Sequence, residues 1–317
     1  MNSEDYILVI GASNIDIGGT SYKELIPADS NPGSISISYG GVARNIAHNL
    51  CLLGVKVKFI TAIGSDVLGR EMIKHCESLG MDISDVIYVP DSSSSMYLYI
   101  NDRSGDMAMS IDQMDIVKNI TPDHIDSIKD VINSARAVVI DGNLSFESVL
   151  RLKEICERPL YIDPVSTVLS ERIRPALDGM EMIKPNRLEA EYMTGMTIRT
   201  EADYKAAARA ILDMGVKRVF LSIGSDGILA ADNNNMYVVG GCRTNVVCTA
   251  GAGDSAIAAI VWASEVVADR MSLVTAAKAA NAVGSMTVSV QETIYPELTH
   301  DNALNKMINT NMKVRKI

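Results

Sequence analysis

Near its start the chain reads Tyr6-Ile7-Leu8-Val9-Ile10, apolar at successive positions, and then stops at Gly11. Similar short runs return at residues 57–63, 137–140, 160–162, 180–183 and 219–223. A strand with no polar side has to be covered on both faces, which is the situation of parallel sheets. Between many of these runs lie stretches of helical periodicity, at 42–53, 68–79, 122–133, 146–156 and 201–214. Strands alternating with helices predict an α/β fold, with a mainly parallel central sheet covered by helices on both faces. The last third turns helical, from about 253 to 267 and from 272 to 288.

Two segments break this pattern. Ser34-Ile35-Ser36-Ile37-Ser38-Tyr39 alternates strictly between polar and apolar. Met107, Met109 and Ile111 alternate too, after Met96-Tyr97-Leu98-Tyr99-Ile100 and an Asn101-Asp102-Arg103-Ser104-Gly105 turn. Such strands have one apolar and one polar face, and they predict a small antiparallel sheet inserted in two parts. Its apolar face needs a cover: a ligand cleft, the main domain or a second subunit. A lid and an edge extension of the main sheet fit the pattern equally.

Composition narrows the class. With 317 residues, 47% hydrophobic and 21% charged, the chain is apolar enough to fold and long enough to bury a large core. A formal net charge of −10 argues against a nucleic-acid partner, which calls for a dense basic face. Five cysteines without a CxxC pair, beside four histidines, offer no zinc or disulfide framework. The acidic start Met1-Asn2-Ser3-Glu4-Asp5 lacks a signal peptide's basic region. The apolar run 256–268 contains Glu265 and is too short to span a bilayer. These features lead to the expectation of a reduced, cytoplasmic, soluble protein without a membrane partner.

The most specific chemistry lies at Thr249-Ala250-Gly251-Ala252-Gly253-Asp254, which leads directly into the apolar helix. Small residues at a loop-to-helix junction let backbone N–H groups converge on an anion, and the helix dipole adds to the attraction. The same dipole favours an ionised Asp254. A carboxylate beside such a nest can take a proton from an attacking hydroxyl while the nest holds a transferring phosphoryl group. A glycine turn followed by an acidic first helical turn accounts for these residues equally well. There is no G-x-x-x-x-G-K-[ST], no glycine fingerprint for a dinucleotide and no protein-kinase motif set.

Tyr39-Gly40-Gly41-Val42-Ala43-Arg44-Asn45 sets a diglycine before a helix whose first turn carries Asn45, a donor and acceptor suited to sugar hydroxyls. An ordinary helix start reads the same way. Asn14 and Asp16 stand at a strand's carboxyl end, where open α/β sheets bind ligands. In Lys184-Pro185-Asn186-Arg187-Leu188-Glu189, Asn186 and Glu189 fit either a capping box or a water-mediated Mg²⁺ site beside a triphosphate.

In their order along the chain, five motifs resemble the ribokinase (PfkB) family of sugar and nucleoside kinases. They are GGxxxN at 40–45, Gly64-Ser65-Asp66-Val67-Leu68-Gly69, NxxE at 186–189, SxGxxG at 222–227 and TAGAGD at 249–254. The resemblance implies a ribokinase-like three-layer sandwich in which residues 1–317 form a single domain, with a β lid from about 17–39 and 92–112. It implies ATP-dependent transfer to a primary hydroxyl, with Asp254 as the base and the N–H groups of Ala250, Gly251, Ala252 and Gly253 as the anion hole. Asp16, Gly40, Gly41 and Asn45 would hold ribose hydroxyls, Asn14 would support them, and Asn143 would add a sugar contact. Lys184 would steady a phosphate, while Asn186 and Glu189 would position Mg²⁺ through water. Ser222, Gly224 and Gly227 would line the nucleotide, with Asn281 near adenine. Cys248 stands where many members carry an Asp that helps hold a monovalent cation, so strong K⁺ activation does not follow from the resemblance.

Further segments resemble the branch of that family acting on pseudouridine: Gly11-Ala12-Ser13-Asn14-Ile15-Asp16, Ala28-Asp29-Ser30-Asn31-Pro32-Gly33, Asp163-Pro164-Val165-Ser166 and Thr244-Asn245-Val246-Val247. This implies a free nucleoside as acceptor. Pseudouridine offers an N–H where uridine has C5–H, and Ser30, Asn31 and Asp112 are candidate acceptors for it. Turn chemistry explains Ser30 and Asn31 as well. Other acceptors within the family (ribose, fructose, a purine nucleoside) stay open, as does a nucleotide-sensing protein without transfer. An aromatic content of 5% weighs against a purine sandwich, although Tyr22, Tyr97 and Tyr99 could supply one. The edge of the two alternating segments also suits pairing between protomers, so a homodimer through the β lid is expected.

Overall fold

In the computed structural model, which describes residues 6–267 and 272–317, the apolar runs pair side by side. The acidic start and the last residue of the 256–268 run lie outside the described residues. The chain opens with β1 (Ile7–Ile10), β2 (Asn14–Ser21), β3 (Gly33–Gly40) and α1 (Val42–Leu52). Next come β4 (Val57–Ile60), β5 (Ala62–Gly64), α2 (Val67–Ser78), β6 (Ile87–Val89), β7 (Met96–Asn101) and β8 (Met107–Gln113). The middle holds α3 (Pro122–Ser127), α4 (Lys129–Ser134), β9 (Ala137–Asp141), α5 (Phe146–Ile155), β10 (Leu160–Asp163), α6 (Thr167–Ile173) and β11 (Met182–Ile183). Then follow α7 (Arg187–Thr194), α8 (Glu201–Leu212), β12 (Arg218–Ser222), β13 (Ile228–Asp232) and β14 (Met236–Val239). The final elements are α9 (Ala252–Glu265), α10 (Leu273–Thr287), α11 (His300–Asn309) and β15 (Val314–Lys316).

Among the described residues a nine-stranded sheet runs in the order β15-β14-β13-β12-β11-β10-β9-β1-β4. It is parallel from β12 to β4 and antiparallel beyond. Strand β1 explains the two helical layers. Ile7 and Val9 enter one core with Trp262 of α9 and the alanines of α10; Leu8 and Ile10 enter the other, with Val149 and Leu152 of α5 and Ile211 of α8. This is the α/β architecture that the all-apolar strands predict.

Two runs are interrupted where periodicity alone would continue them. The 57–63 run divides, because β4 pairs with β1 whereas β5 turns away to pair with β6. The 122–133 helix breaks at Ile128, just after Ser127 Oγ donates to the His124 carbonyl at 2.7 Å and competes with the backbone ladder.

The alternating segments form a separate four-stranded sheet, β3-β2-β7-β8. It is mixed and not antiparallel throughout: β2 and β7 run parallel, and each is returned by its own antiparallel partner. Register places Ser38, Asp16, Tyr97 and Asp112 in one row across it. On the opposite face Ile35, Ile37, Met109 and Ile111 are 60–79% exposed. Met107 does not join them. An irregularity between Ile100 and Asn101 pairs Met107 with Asn101, and its sulfur accepts a hydrogen bond from Tyr97 Oη at 3.5 Å.

The carboxyl ends of β1, β9, β10, β11 and β12 gather at one edge of the main sheet. Asp141, at the end of β9, is fully buried there. Its Oδ2 accepts from the N–H groups of Ala12 at 3.0 Å and Ala43 at 3.1 Å, and Oδ1 accepts from Asn143 N–H at 2.9 Å. One carboxylate thus ties the exit of β1 to the entry of α1. Asp141→Ala leaves three backbone donors without this acceptor, and we expect a loss of about 3–5 kcal/mol. An unchanged urea midpoint would rule out this clamp.

Candidate active site

Two helices start at this edge, and both starts depend on glycine. Before α1, a side chain at Gly40 would collide with the Asp16 carboxylate, and Gly41 has a φ of 97° with Ala12 carbonyl oxygen in the way of any Cβ. Before α9, Gly251 has a φ of 75° and lies hard against the Thr293 carbonyl. The Lys184 ammonium faces the same helix start: a Cβ placed on Gly253 would lie 3.6 Å from Lys184 Nζ. The N–H groups of the first turn of α9 have no side-chain cap. A bare helix N-terminus with an ammonium beside it is suited to an anion.

Asp254 stands in that first turn and accepts from Asn45 Nδ2 at 2.7 Å. Enclosure by protein raises its carboxyl to about 7; Asp163 pushes the same way, while Asn45, Lys184 and Arg44 oppose it. Asp163, at the end of β10, is buried, and that burial raises it against the pull of Lys184. Glu189 is raised by burial and by Asp163. The charge of Lys184 thus acts on all three carboxylates. Such a set of groups is short of positive charge and suits a cation that arrives with its ligand.

Asn186 and Glu189 form the capping box at the start of α7: Asn186 N–H donates to Glu189 Oε2 at 2.8 Å, and Glu189 N–H donates to Asn186 Oδ1 at 3.0 Å. Asp16 takes a 2.6 Å hydrogen bond from Asn14 Nδ2, and burial raises its carboxyl. Asn143 lies beside Asp141 at the same sheet edge. Ser222 N–H donates to the Pro185 carbonyl at 3.1 Å, which joins the 222–227 segment to the loop before α7. Gly224 and Gly227 both adopt positive φ, at 60° and 103°. Asn281, on α10, spends its amide on the carbonyls of Val239 at 3.0 Å and Gly240 at 3.2 Å.

The base-edge candidates are more scattered. Asp112 is exposed on β8, in the cross-strand row of Asp16 and Tyr97. Ser30 and Asn31 lie in the exposed β2–β3 loop. Asn31 Oδ1 accepts from Ile26 N–H at 2.8 Å and its Nδ2 donates to the Ile26 and Asp29 carbonyls, so its carboxamide closes its own turn.

Sequence reasoning missed three buried charges at this edge, Arg44, Asp141 and Asp163. Each had a signal. Asp141 and Asp163 are charges that end apolar strands, and Arg44 is a cation inside an otherwise buried helical turn.

Residues 4–300 match the pfkB family of carbohydrate kinases. The pseudouridine kinase of Escherichia coli (strain K12) is 33% identical over 313 residues, 98% of this chain and 98% of that one. The guanosine-inosine kinase of Exiguobacterium acetylicum is 30% identical over 260 residues, 80% of this chain and 86% of its own. A solved structure of a Clostridium perfringens protein described as a sugar kinase matches with a TM-score of 0.86 at 30% identity, covering 99% of each chain. A family match over nearly the whole chain, on a ribokinase-like fold whose carboxyl edge holds a bare helix start, an ammonium and a carboxylate, leads to one conclusion: the chain belongs to the pfkB family and is an ATP-dependent kinase.

Proposed function

We propose that the enzyme transfers the γ-phosphoryl group of ATP to the 5′-hydroxyl of pseudouridine, giving pseudouridine 5′-phosphate and ADP. The observation that carries the choice of acceptor is the 33% identity to a pseudouridine kinase over 98% of both chains. The transfer itself rests on Asp254, whose carboxyl, raised to about 7, titrates where a general base is most effective.

Phosphoryl transfer asks a protein mainly for in-line positioning and charge stabilisation. Asp254 takes the proton of the attacking hydroxyl, and the N–H groups of Ala250, Gly251, Ala252 and Gly253 hold the transferring group, with Lys184 beside them. Asp16, Gly40, Gly41 and Asn45 hold the ribose, Asn14 orients Asp16, and Asn143 adds a contact from β9. Ser222, Gly224 and Gly227 line the nucleotide, and Asn281 holds the 239–240 backbone against it. The buried carboxyl groups of Asp163, Glu189 and Asp254, raised by burial, suit Mg²⁺, which commonly binds through water and phosphates. Asn186 and Glu189 would hold it through water, and it supplies charge neutralisation of the triphosphate. Cys248 argues against a family-type K⁺ site.

The four-stranded sheet serves as a lid over a single domain, its Asp16 face towards substrate. Of the base-edge candidates, Asp112 has the best case, since it shares the row of Asp16; Ser30 and Asn31 would act only after loop rearrangement. The apolar face of the lid, with Ile35, Ile37, Met109 and Ile111, pairs with a second copy in a homodimer. Among the described residues no helix is long and apolar enough to cross a membrane; we assign the enzyme to the cytoplasm, where ATP is supplied.

A second acceptor has specific support. Identity to a guanosine-inosine kinase is 30%, and Tyr97 and Tyr99, with ring centroids 5.7 Å apart, lie on the Asp16 face where a purine could stack. A panel of pseudouridine, uridine, inosine, guanosine, ribose and fructose with ATP and Mg²⁺, followed by ADP release, separates the two. Pseudouridine should give the highest kcat/KM, and a faster purine nucleoside would replace it. Asp254→Asn, run alongside, should bind ATP yet lose about 1,000-fold or more in turnover.

Asp254 also makes stability depend on pH. Its folded value of about 7 lies above the ordinary 3.8, so between these the folded chain holds a proton that the unfolded chain has released. Stability contributed by the protonated form is therefore lost as pH rises through about 7. Asp254→Asn should unfold at a higher temperature than the parent at about pH 8, and the gap should close towards about pH 4. A parent that is the more stable at the higher pH would contradict this. For the dimer, Ile37→Asp should convert the species seen by sedimentation to a monomer; a parent protein that already sediments as a monomer removes the proposal.

A further inference from the structure

Asn45 can help Asp254 only with one end of its carboxamide. Nδ2 donates to Asp254 Oδ2 at 2.7 Å, and an inverted carboxamide would set two oxygens against each other. The inversion is opposed by the neighbouring side chain. Arg44 is 2% exposed, and its Nη2 donates to Asn45 Oδ1. The same guanidinium donates through Nη2 to the Tyr39 carbonyl at 2.5 Å and through Nε to the Gly40 carbonyl at 3.2 Å. Its Nη1 lies 3.3 Å from His48 Nδ1. Five N–H groups in a rigid fork make this possible; an ammonium has neither the number nor the directions.

We propose that Arg44 is a positioning residue for phosphoryl transfer, which locks the carboxamide of Asn45 with its amide end on Asp254 and fixes the Tyr39–Gly40 backbone at the edge of the acceptor pocket. The proposal rests on the reading of Asp254 as the base. Arg44 thereby links the two halves of the site: the Tyr39 and Gly40 carbonyls belong to the strand end facing Asp16, and Asn45 belongs to the base.

The surroundings keep the lock in one state. Asp16 approaches Arg44 from β2 and Asp254 from α9, Cys76 and His75 face it from α2, Tyr39 from β3, and His48 from its own helix. Burial together with Arg44 pushes His48 down to about 3, so this imidazole stays neutral and can accept from the guanidinium. His75 is lowered too, and its ring stacks on Tyr39 with centroids 4.1 Å apart. Asp254 is faced by Asp163 from β10, by Lys184 after β11, and by Arg44 and Asn45 from α1.

The test is a double-mutant cycle read on ATP and the fastest nucleoside of the panel. Arg44→Met should lower kcat about 100-fold, move the acid limb of kcat/KM to higher pH, and leave KM for ATP within about twofold. Arg44→Lys keeps the charge and loses the fork, so the acid limb should return while kcat stays about tenfold low. In an Asn45→Ala background, Arg44→Met should cost about tenfold or less, because the part of its effect that passes through Asn45 is already lost and only its hold on the Tyr39–Gly40 backbone and its charge remain. An unmoved acid limb in Arg44→Met, full parental kcat in Arg44→Lys, or multiplicative losses in the cycle would each overturn the proposal. If Arg44→Met does not fold, Arg44→Lys and its cycle with Asn45→Ala decide the matter. Failure of the parent reading looks different: Asp254→Asn then keeps its turnover, whatever Arg44 does.

Discussion

A hydrogen bond of 2.7 Å between Asn45 Nδ2 and Asp254 Oδ2 joins the first turn of α1 to the first turn of α9. The rest of the carboxyl edge is arranged so that this bond can exist. Both helices must begin at nearly the same place, which is why each is preceded by glycine with positive φ. Both must also be pinned from behind. Asp141 holds the α1 entry, and the Thr293 carbonyl presses on the α9 entry. The bond spans the core cluster on one face of the sheet, where α1, α9 and α10 pack through alanines and the buried Trp262. Small side chains there let the helix axes come close, and closeness lets an asparagine reach.

The same edge shows how an acidic protein handles an acidic ligand. A net charge of −10 repels a triphosphate. Yet the recess relies on few cationic side chains. Backbone N–H groups and a helix dipole are fixed partial charges that need no counter-ion and cannot titrate. The Lys184 ammonium faces the start of α9, and its charge acts on the three carboxyl groups of Asp163, Glu189 and Asp254. The price is a set of carboxyl groups raised by burial, Asp254 among them at about 7.

What could be read in advance follows the range of the interaction. Strands buried on both faces betray themselves residue by residue, so β1, β9, β10 and β12 and the helices between them were legible, as were the glycine-rich starts of α1 and α9. The parallel join of β2 to β7 was not, because nothing in either strand encodes the direction of a distant partner. Met107 belonged by alternation with Met109, and one irregular step in the ladder put it on the other face. Arg44 was hidden for another reason. Periodicity treats a charge on a buried stripe as an error, whereas this guanidinium is fully employed by carbonyls and a carboxamide that only the folded chain assembles.

Gly251 carries a consequence for how the enzyme comes into being. The loop that starts α9 is shaped by the Thr293 carbonyl, which lies beyond the far end of α10. On the ribosome, the sheet face that carries Leu8 and Ile10 can be covered early by α5 and α8, whereas the face that carries Ile7 and Val9 waits for α9 and α10. The glycine turn before α9 comes later still, since the carbonyl that shapes it is yet to be synthesised. A nascent chain therefore completes one helical layer before the other, and the turn before α9 takes its final shape only after the residues beyond α10 have been made.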